Sequence, residues 1–411
     1  MKFSFPLSLK SILKKSEILY SVNAFFKSRL TQHSLRKLEN YYFNVAKKGV
    51  VEYDEEKLIN QFKEKHVELN PNFKPKDIGR LKVFWIGTSL NQDNSGFLQS
   101  LKEIAEVTVF YNHEGRYGLW NKNGSALIYD KEVVEMNDIS LKLQIESTIN
   151  SVGIDIVLGQ MWAGRLSKNI LKWVRSKGIP VINVSMDDRL PEHWGYAKDV
   201  RLGSVGLAEN LDMVLTTSSE TCIWYSIEGC PAIYWPLASD PNLFYKKNAI
   251  ERDIDVLFIG NRYGIRSKIV KKLISAGINV TTYGQGWPNG SATFEESISL
   301  SNRAKIILGI GTVGHCSNLF TMKLRDFDAP MSGALYITHR NPDLKSLFIE
   351  GEEIEFYLTI EEAISKIKFY LNNPNELKRI AFNGQKKALE KFTWKDRFVD
   401  LFTRLGLIKL S

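Results

Sequence analysis

Cysteine is scarce in this chain of 411 residues: Cys222, Cys230 and Cys316 are the only three, and no two form a CxxC pair. An odd, unpaired set excludes a disulfide framework and a thiolate metal cluster, and it points to a reducing cytoplasm. Histidine is as sparse, with six scattered residues, no HExxH motif and no pair at i,i+4. No bound metal is therefore expected. No run reaches the roughly 18 apolar residues that a membrane-spanning helix needs. An n-region, h-region and small-residue cleavage site are not convincingly present, so export is not expected. Low-complexity segments and detectable repeats are also missing.

What is present describes a soluble globular protein of two domains with an extension, since 411 residues exceed one ordinary domain. Hydrophobic residues make up 44% and charged residues 25%, and nine Trp, sixteen Tyr and twenty-two Phe supply ample core. The formal charge of +9 suits nucleic acid, anionic phospholipid or a phosphorylated substrate. Nucleic acid ranks last, because the cations are not interleaved with aromatics in a recognisable module. The excess is heaviest at the start, where Lys2, Lys10, Lys14, Lys15, Lys27, Arg29, Arg36 and Lys37 face only Glu17 and Glu39. Leu9, Ile12, Leu13, Leu19, Val22, Phe26 and Leu30 recur there near helical spacing. Such a helix either lies on a membrane surface through residues 1–40 or packs on the main body.

The texture changes after residue 79. Strands are expected at Leu81–Ile86, Val107–Phe110, Ile154–Leu158, Pro180–Val184, Met213–Thr217 and Ala232–Trp235, with helices at Gly96–Glu106 and Leu166–Lys177. The alternation restarts at Ile254–Ile259 and continues through Asn279–Gly284, Ala304–Leu308 and Gly333–Thr338. Alternating strands and helices mean parallel sheets. The chain divides into a basic helical extension (1–79), an α/β domain (80–245), a second α/β domain (246–392) and a terminal helix (393–411) that crosses back to the first.

In open parallel sheets, ligands bind beyond the carboxyl ends of the strands. Lys323 to Tyr336 is the richest stretch there: a helix would set Arg325 and Asp328 one turn apart on one face, and Gly333 would let the backbone turn into the next strand. A cation such as Lys323 or Arg325 can hold a phosphate, and a carboxylate can accept bonds from ribose hydroxyls. That equipment fits a nucleotide diphosphate sugar. Asp326-Phe327-Asp328 matches a DxD metal motif, but the adjacent cations oppose metal binding. Gly260-Asn261-Arg262-Tyr263-Gly264-Ile265-Arg266 follows a strand; Gly260 permits close approach, and Arg262 or Arg266 adds charge to a diphosphate. The loop from Gly309 through Gly311 to His315 offers amides for an anion, or is an ordinary connection. In the first domain, Asp187, Asp188 or His193 is a candidate base for an acceptor hydroxyl, the alternative for the two aspartates being helix capping and turn chemistry. Ser89, Asp93, Asn94 and Ser95 are polar enough to line the same cleft.

Residues 254–398 resemble the glycosyltransferase group 1 family that includes the CgeB-like spore-maturation proteins. The resemblance rests on Asp255–Asn261, Tyr283-Gly284-Gln285-Gly286-Trp287, Arg325–Ala334, Asn341-Pro342-Asp343-Leu344, Gly351–Tyr357 and Phe392-Thr393-Trp394-Lys395-Asp396-Arg397. Asp187-Asp188 and Trp235–Pro241 look similar to features of that family's front half. The resemblance implies the GT-B architecture, two Rossmann-like domains facing across a cleft, with the nucleotide sugar on the rear domain and no metal. The family's usual glutamate, five residues before the glycine, falls on Asp328; the glutamate that related enzymes carry eight residues earlier falls on Phe320. The expected activity is a cytoplasmic, peripherally membrane-bound glycosyltransferase of polysaccharide biosynthesis. It would use a nucleotide diphosphate sugar as co-substrate, without other cofactor, and a glycan or lipid-linked acceptor. A non-catalytic binding protein on the same scaffold, or a sugar-nucleotide epimerase or hydrolase, are the alternatives.

Overall fold

The computed structural model describes residues 17–48, 53–122, 129–245, 250–313, 316 and 318–410, with side chains from Val22 onward. The basic residues before Glu17 and the loop residues Gly314 and His315 lie outside it.

Two parallel sheets carry the fold. The first contains β1 (Leu81–Ile86), β2 (Ala105–Val109), β3 (Ile156–Gly159), β4 (Val181–Ser185), β7 (Met213–Thr216) and β8 (Ala232–Tyr234), in the order β2-β1-β3-β4-β7-β8. A small antiparallel pair, β5 (Tyr196–Ala197) and β6 (Val200–Arg201), sits in the connection before β7. The second sheet contains β9 (Ile254–Ile259), β10 (Val280–Tyr283), β11 (Ala304–Leu308), β12 (Leu335–His339) and β13 (Glu355–Tyr357), in the order β10-β9-β11-β12-β13. Strands such as β3 and β12 are buried at every residue, as expected where helices cover both faces. In each sheet the second strand lies on one side of the first and the third strand on the other. A crevice therefore opens at the carboxyl ends of β1 and β3, and another at those of β9 and β11.

Element edges differ from the sequence reading by a residue or two, as helix and strand ends do. The helix Lys131–Ser151 has no expected counterpart. Its buried Val133, Val134, Leu141 and Ile145 are interrupted by exposed Ile139 and Leu143, so no clean apolar stripe marks it. Helices Ser219–Ile227, Phe294–Arg303 and Pro374–Lys391 were likewise not anticipated.

The extension forms the helices Glu17–Lys47 and Glu55–Leu69. The first docks on the front lobe through Leu35 and Tyr42, the Tyr42 ring stacking 5.0 Å from Trp224 and meeting Trp194 edge-on at 5.2 Å. The terminal helix Trp394–Arg404, capped by Thr393, packs on the helix Phe97–Ile104 of the front lobe. Trp394 lies 5.0 Å from Phe97 and 5.5 Å from Trp235. Phe398 lies 4.9 Å from Phe97 and 5.4 Å from Trp235. Beside this seam the two chain crossings are hydrogen-bonded together, Ser239 N–H to Phe392 O and Trp394 N–H to Ser239 O, both at 3.0 Å.

Because Trp394 is fully buried, Trp394→Ala should lower stability by about 3–5 kcal/mol, read from denaturant unfolding of the whole chain.

Candidate active site

β9 ends on Phe258 and Ile259, and Gly260 follows with φ +154°. A Cβ there would stand 3.2 Å from Arg325 Nη1 and 3.3 Å from Arg266 Nη1, so the missing side chain lets two guanidinium groups approach the strand end. Arg325, the first residue of the helix Arg325–Met331, donates to the Ile259 carbonyl and lies 5.0 Å over the Phe258 ring. Its Nε is buried without a hydrogen-bond partner among the described residues. Arg266 opens the helix Arg266–Ser275, donates to Asn261 O at 2.9 Å and lies 4.0 Å over Tyr263. Tyr263 reaches Thr312 O at 3.3 Å and ties this loop to the one after β11. In that second loop Gly311 O accepts from Thr321 N–H at 3.2 Å, while any side chain at Gly309 would collide with Thr338 Oγ1 and the Tyr336 hydroxyl. Arg262 turns elsewhere: its Nε donates to Ser267 at 3.1 Å and its guanidinium lies 5.7 Å from Trp287. Gly333, at φ +72°, makes the turn into β12.

The residues between β11 and β12 fan out to different partners. Asp326 is buried, accepting from the Tyr336 hydroxyl and, at 2.7 Å, from Lys323 N–H. Asp328 accepts from Ser239 Oγ at 2.7 Å, beside the crossing strands. The two carboxylates of the DxD pattern thus face separate partners, and no group of three or more His, Cys, Asp or Glu among the described residues is placed to hold a metal. Burial raises the Asp328 carboxyl well above the usual range, the neighbouring Asp326 and Asp240 adding to it, while Ser239 and Arg325 oppose the shift.

Lys323 is not left facing open solvent. Its Nζ lies 2.7 Å from Asp187 Oδ1, across the cleft, and Thr321 Oγ1 donates to the same oxygen at 2.6 Å. Asp187 follows β4 in the left-handed region, φ +58°. Burial alone would raise its carboxyl, but the Lys323 charge and hydrogen bond, Thr321 and His193 outweigh it and hold it below 3.8. A second cross-lobe contact places Asp343 on the Ser219 N–H at 3.3 Å and the Ser219 hydroxyl at 2.5 Å.

Asp188 points inward. Its carboxylate accepts from Ser185 and, at 2.6 Å, from Thr216, and its carbonyl accepts from Trp194 Nε1 at 2.6 Å. It is 1% exposed, so it braces β4 against β7 instead of meeting an acceptor, and the expectation of a base there is corrected. His193 is also buried, with Nδ1 unpartnered among the described residues, and its charge acts on both aspartates. Asp93 likewise turns from the cleft, accepting from the Tyr117 hydroxyl at 2.5 Å and Trp85 Nε1 at 3.3 Å. The sequence reading does not single out Thr321, and it quotes Ser239 and Asp343 only within stretches of family resemblance, with no role; their contacts with Asp187, Asp328 and Ser219 come from the fold.

Residues 266–403 match the sequence model of the family described as Glycosyl transferase-like. Among curated proteins, the Bacillus subtilis spore protein CgeB is 24% identical over 278 residues, spanning 61% of this chain and 82% of CgeB. Among solved structures, sucrose-phosphate synthase from Thermosynechococcus elongatus superposes with a TM-score of 0.55 at 12% identity, over 79% of this chain and 98% of that one. Anabaena HepE in complex with UDP and glucose gives 0.53 at 11% identity, over 79% of this chain and 100% of that one. At such identities the likeness speaks to the fold, which is GT-B.

Burial pushes the Asp93 carboxyl up from 3.8 to about 6. An acid raised in the folded state contributes stability below its unfolded value and loses it as pH climbs through the folded one. Asp93→Asn keeps one acceptor oxygen for Tyr117 and Trp85. It should therefore gain about 1–3 kcal/mol above pH 6 and match the native chain at acidic pH, as measured by unfolding across a pH series.

Proposed function

We propose that this chain, which is similar to CgeB and to the Glycosyl transferase-like family over residues 266–403, transfers a sugar from a nucleotide diphosphate sugar to a hydroxyl of a glycan or lipid-linked acceptor. The observation that carries the donor site is the convergence of Arg266 and Arg325 on Gly260, at the crevice between β9 and β11. Both guanidiniums lie over aromatic rings, which hold their planes at the strand end, a geometry suited to phosphate recognition. Catalysis in this reading is charge stabilisation of the departing diphosphate by these cations, the loop amides and Lys323. Asp328 holds the ribose, and Asp187 serves the acceptor. Because cations supply the charge, no metal is needed.

The basic start of the chain supports a membrane-facing acceptor. The helix Glu17–Lys47 buries Leu35 and Tyr42 on the body. On its opposite side, at 100° per residue, stand Val22, Phe26 and Leu30, exposed at 46%, 61% and 68%, with Arg29 and Lys37 beside them. An apolar stripe flanked by cations suits an anionic bilayer surface on the cytoplasmic side. Among the described residues no helix is long and apolar enough to cross a membrane.

A thermal-shift screen of UDP, GDP, dTDP, ADP and CMP sugars should find at least one binder. Arg325→Ala and Arg266→Ala should each weaken it roughly 10-fold or more. Unchanged affinity in both Arg325→Ala and Asp328→Asn would remove this site assignment, and strict manganese dependence of transfer would favour the DxD reading.

In a liposome flotation assay, the native chain should float with vesicles containing phosphatidylserine and much less with neutral ones. Phe26→Asp combined with Leu30→Asp should abolish most of that flotation while leaving nucleotide-sugar binding unchanged.

A further inference from the structure

The cleft pairs the two groups that the proposed reaction needs apart. Lys323, two residues before Arg325, is assigned to the diphosphate, and Asp187 to the acceptor, yet their side chains meet at 2.7 Å. Thr321 adds a second bond, at 2.6 Å, to the same carboxylate oxygen. The pair is not sealed away: the side chains remain 21% and 34% exposed, so an entering anion can reach the ammonium.

We propose that donor binding itself arms the base, because the diphosphate competes for Lys323 and thereby frees Asp187 to take the acceptor proton. This rests on the donor-site reading above. The charged and titratable groups around Asp187 are Lys323 from the donor lobe, His193 from the turn Pro191–Trp194 and the neighbouring Asp188. Arg189, next along the chain, is already engaged by Glu39 at 2.7 Å and Glu220 at 3.1 Å. It does not take the place of Lys323. With Lys323 withdrawn, the burial that opposes ionisation is no longer outweighed to the same extent, and the carboxylate becomes more basic. Thr321 continues to orient it as a positioning residue.

The chemistry then balances. The acceptor O–H bond breaks and its proton passes to the Asp187 carboxylate. The acceptor oxygen forms the bond to the anomeric carbon, and that carbon's bond to the donor phosphate oxygen breaks with its electron pair leaving on the diphosphate. Before donor arrives the same carboxylate is occupied, so the order of binding is donor first.

The test uses inorganic pyrophosphate and the full chain, by titration calorimetry. Asparagine tolerates the left-handed backbone that Asp187 adopts, so Asp187→Asn is conformationally mild. It should bind pyrophosphate roughly fivefold or more tightly than the native chain, because Lys323 no longer has a competing anion. Lys323→Met should bind it more weakly. Thr321→Val, which retains the ion pair but removes the bond that steadies Asp187 once Lys323 is drawn away, should bind pyrophosphate no more tightly than the native chain. In transfer assays, Asp187→Asn should lower kcat while also lowering the donor KM, slower turnover with tighter apparent donor binding, a combination that loss of fold does not produce. If Asp187→Asn binds no more tightly while Lys323→Met is weakened, the competition is overturned and the donor site stands. If neither the native chain nor Asp187→Asn binds pyrophosphate or any nucleotide diphosphate, both readings fall.

Discussion

The lobes are held in register by aromatic burial at one end of the cleft. Trp394 and Phe398 follow the second sheet in sequence, yet they pack on Phe97 and Trp235 of the first lobe. Trp85 extends the seam, 4.7 Å from Phe97. Burying such rings is worth several kcal/mol. At the mouth the lobes meet instead through polar contacts such as Lys323–Asp187 and Ser219–Asp343. Partly exposed pairs of that kind contribute about 0–1 kcal/mol each. The difference in scale means that the aromatic seam, beside which the chain crossings at Ser239 and Phe392 lie, contributes most to holding the lobes together.

On the donor side, backbone close approach sets what the side chains can do. Gly284 sits against the Gly260 carbonyl so tightly that a side chain would collide, which fixes the ends of β9 and β10 together. Gly260 then leaves the space in which Arg325 and Arg266 converge. A lysine in either place would lack the planar face that rests on Phe258 or Tyr263. The helix Arg325–Met331 is short and contains Pro330, so its own dipole adds little. The guanidinium of its first residue supplies the charge.

Much of this architecture was legible before the structure. Apolar runs such as Ile254–Ile259 and Ala304–Leu308 announce parallel strands, and the glycines after them mark where a ligand would lie. What was hidden has two physical causes. The helix Lys131–Ser151 exposes Ile139 and Leu143 on its outer side, which blurs its period. Pairings between residues 134 or 136 positions apart, Asp187 with Thr321 and Lys323, have no trace in local pattern. The reading of adjacent Asp187 and Asp188 as interchangeable failed for the same reason: a single left-handed residue sends one side chain to the cleft and leaves the other facing Ser185 and Thr216.

The two carboxylates facing opposite-lobe partners illustrate how environment divides labour among chemically identical groups. Asp187 gains a cation and two hydrogen bonds and stays ionised below the usual carboxylate range. Asp328 is half-buried near Asp326 and Asp240, and its carboxyl is pushed well above that range. One is therefore an anion able to accept a proton once its cation is drawn away. The other keeps a proton more readily and can donate as well as accept hydrogen bonds, which suits it to a neutral hydroxylated partner, as Ser239 already shows. Environments that push two acids in opposite directions are how acid and base roles are separated at one pH. Here the separation is produced by the neighbours: Asp187 is set by Lys323 across the cleft, and Asp328 by burial together with Asp326 and Asp240.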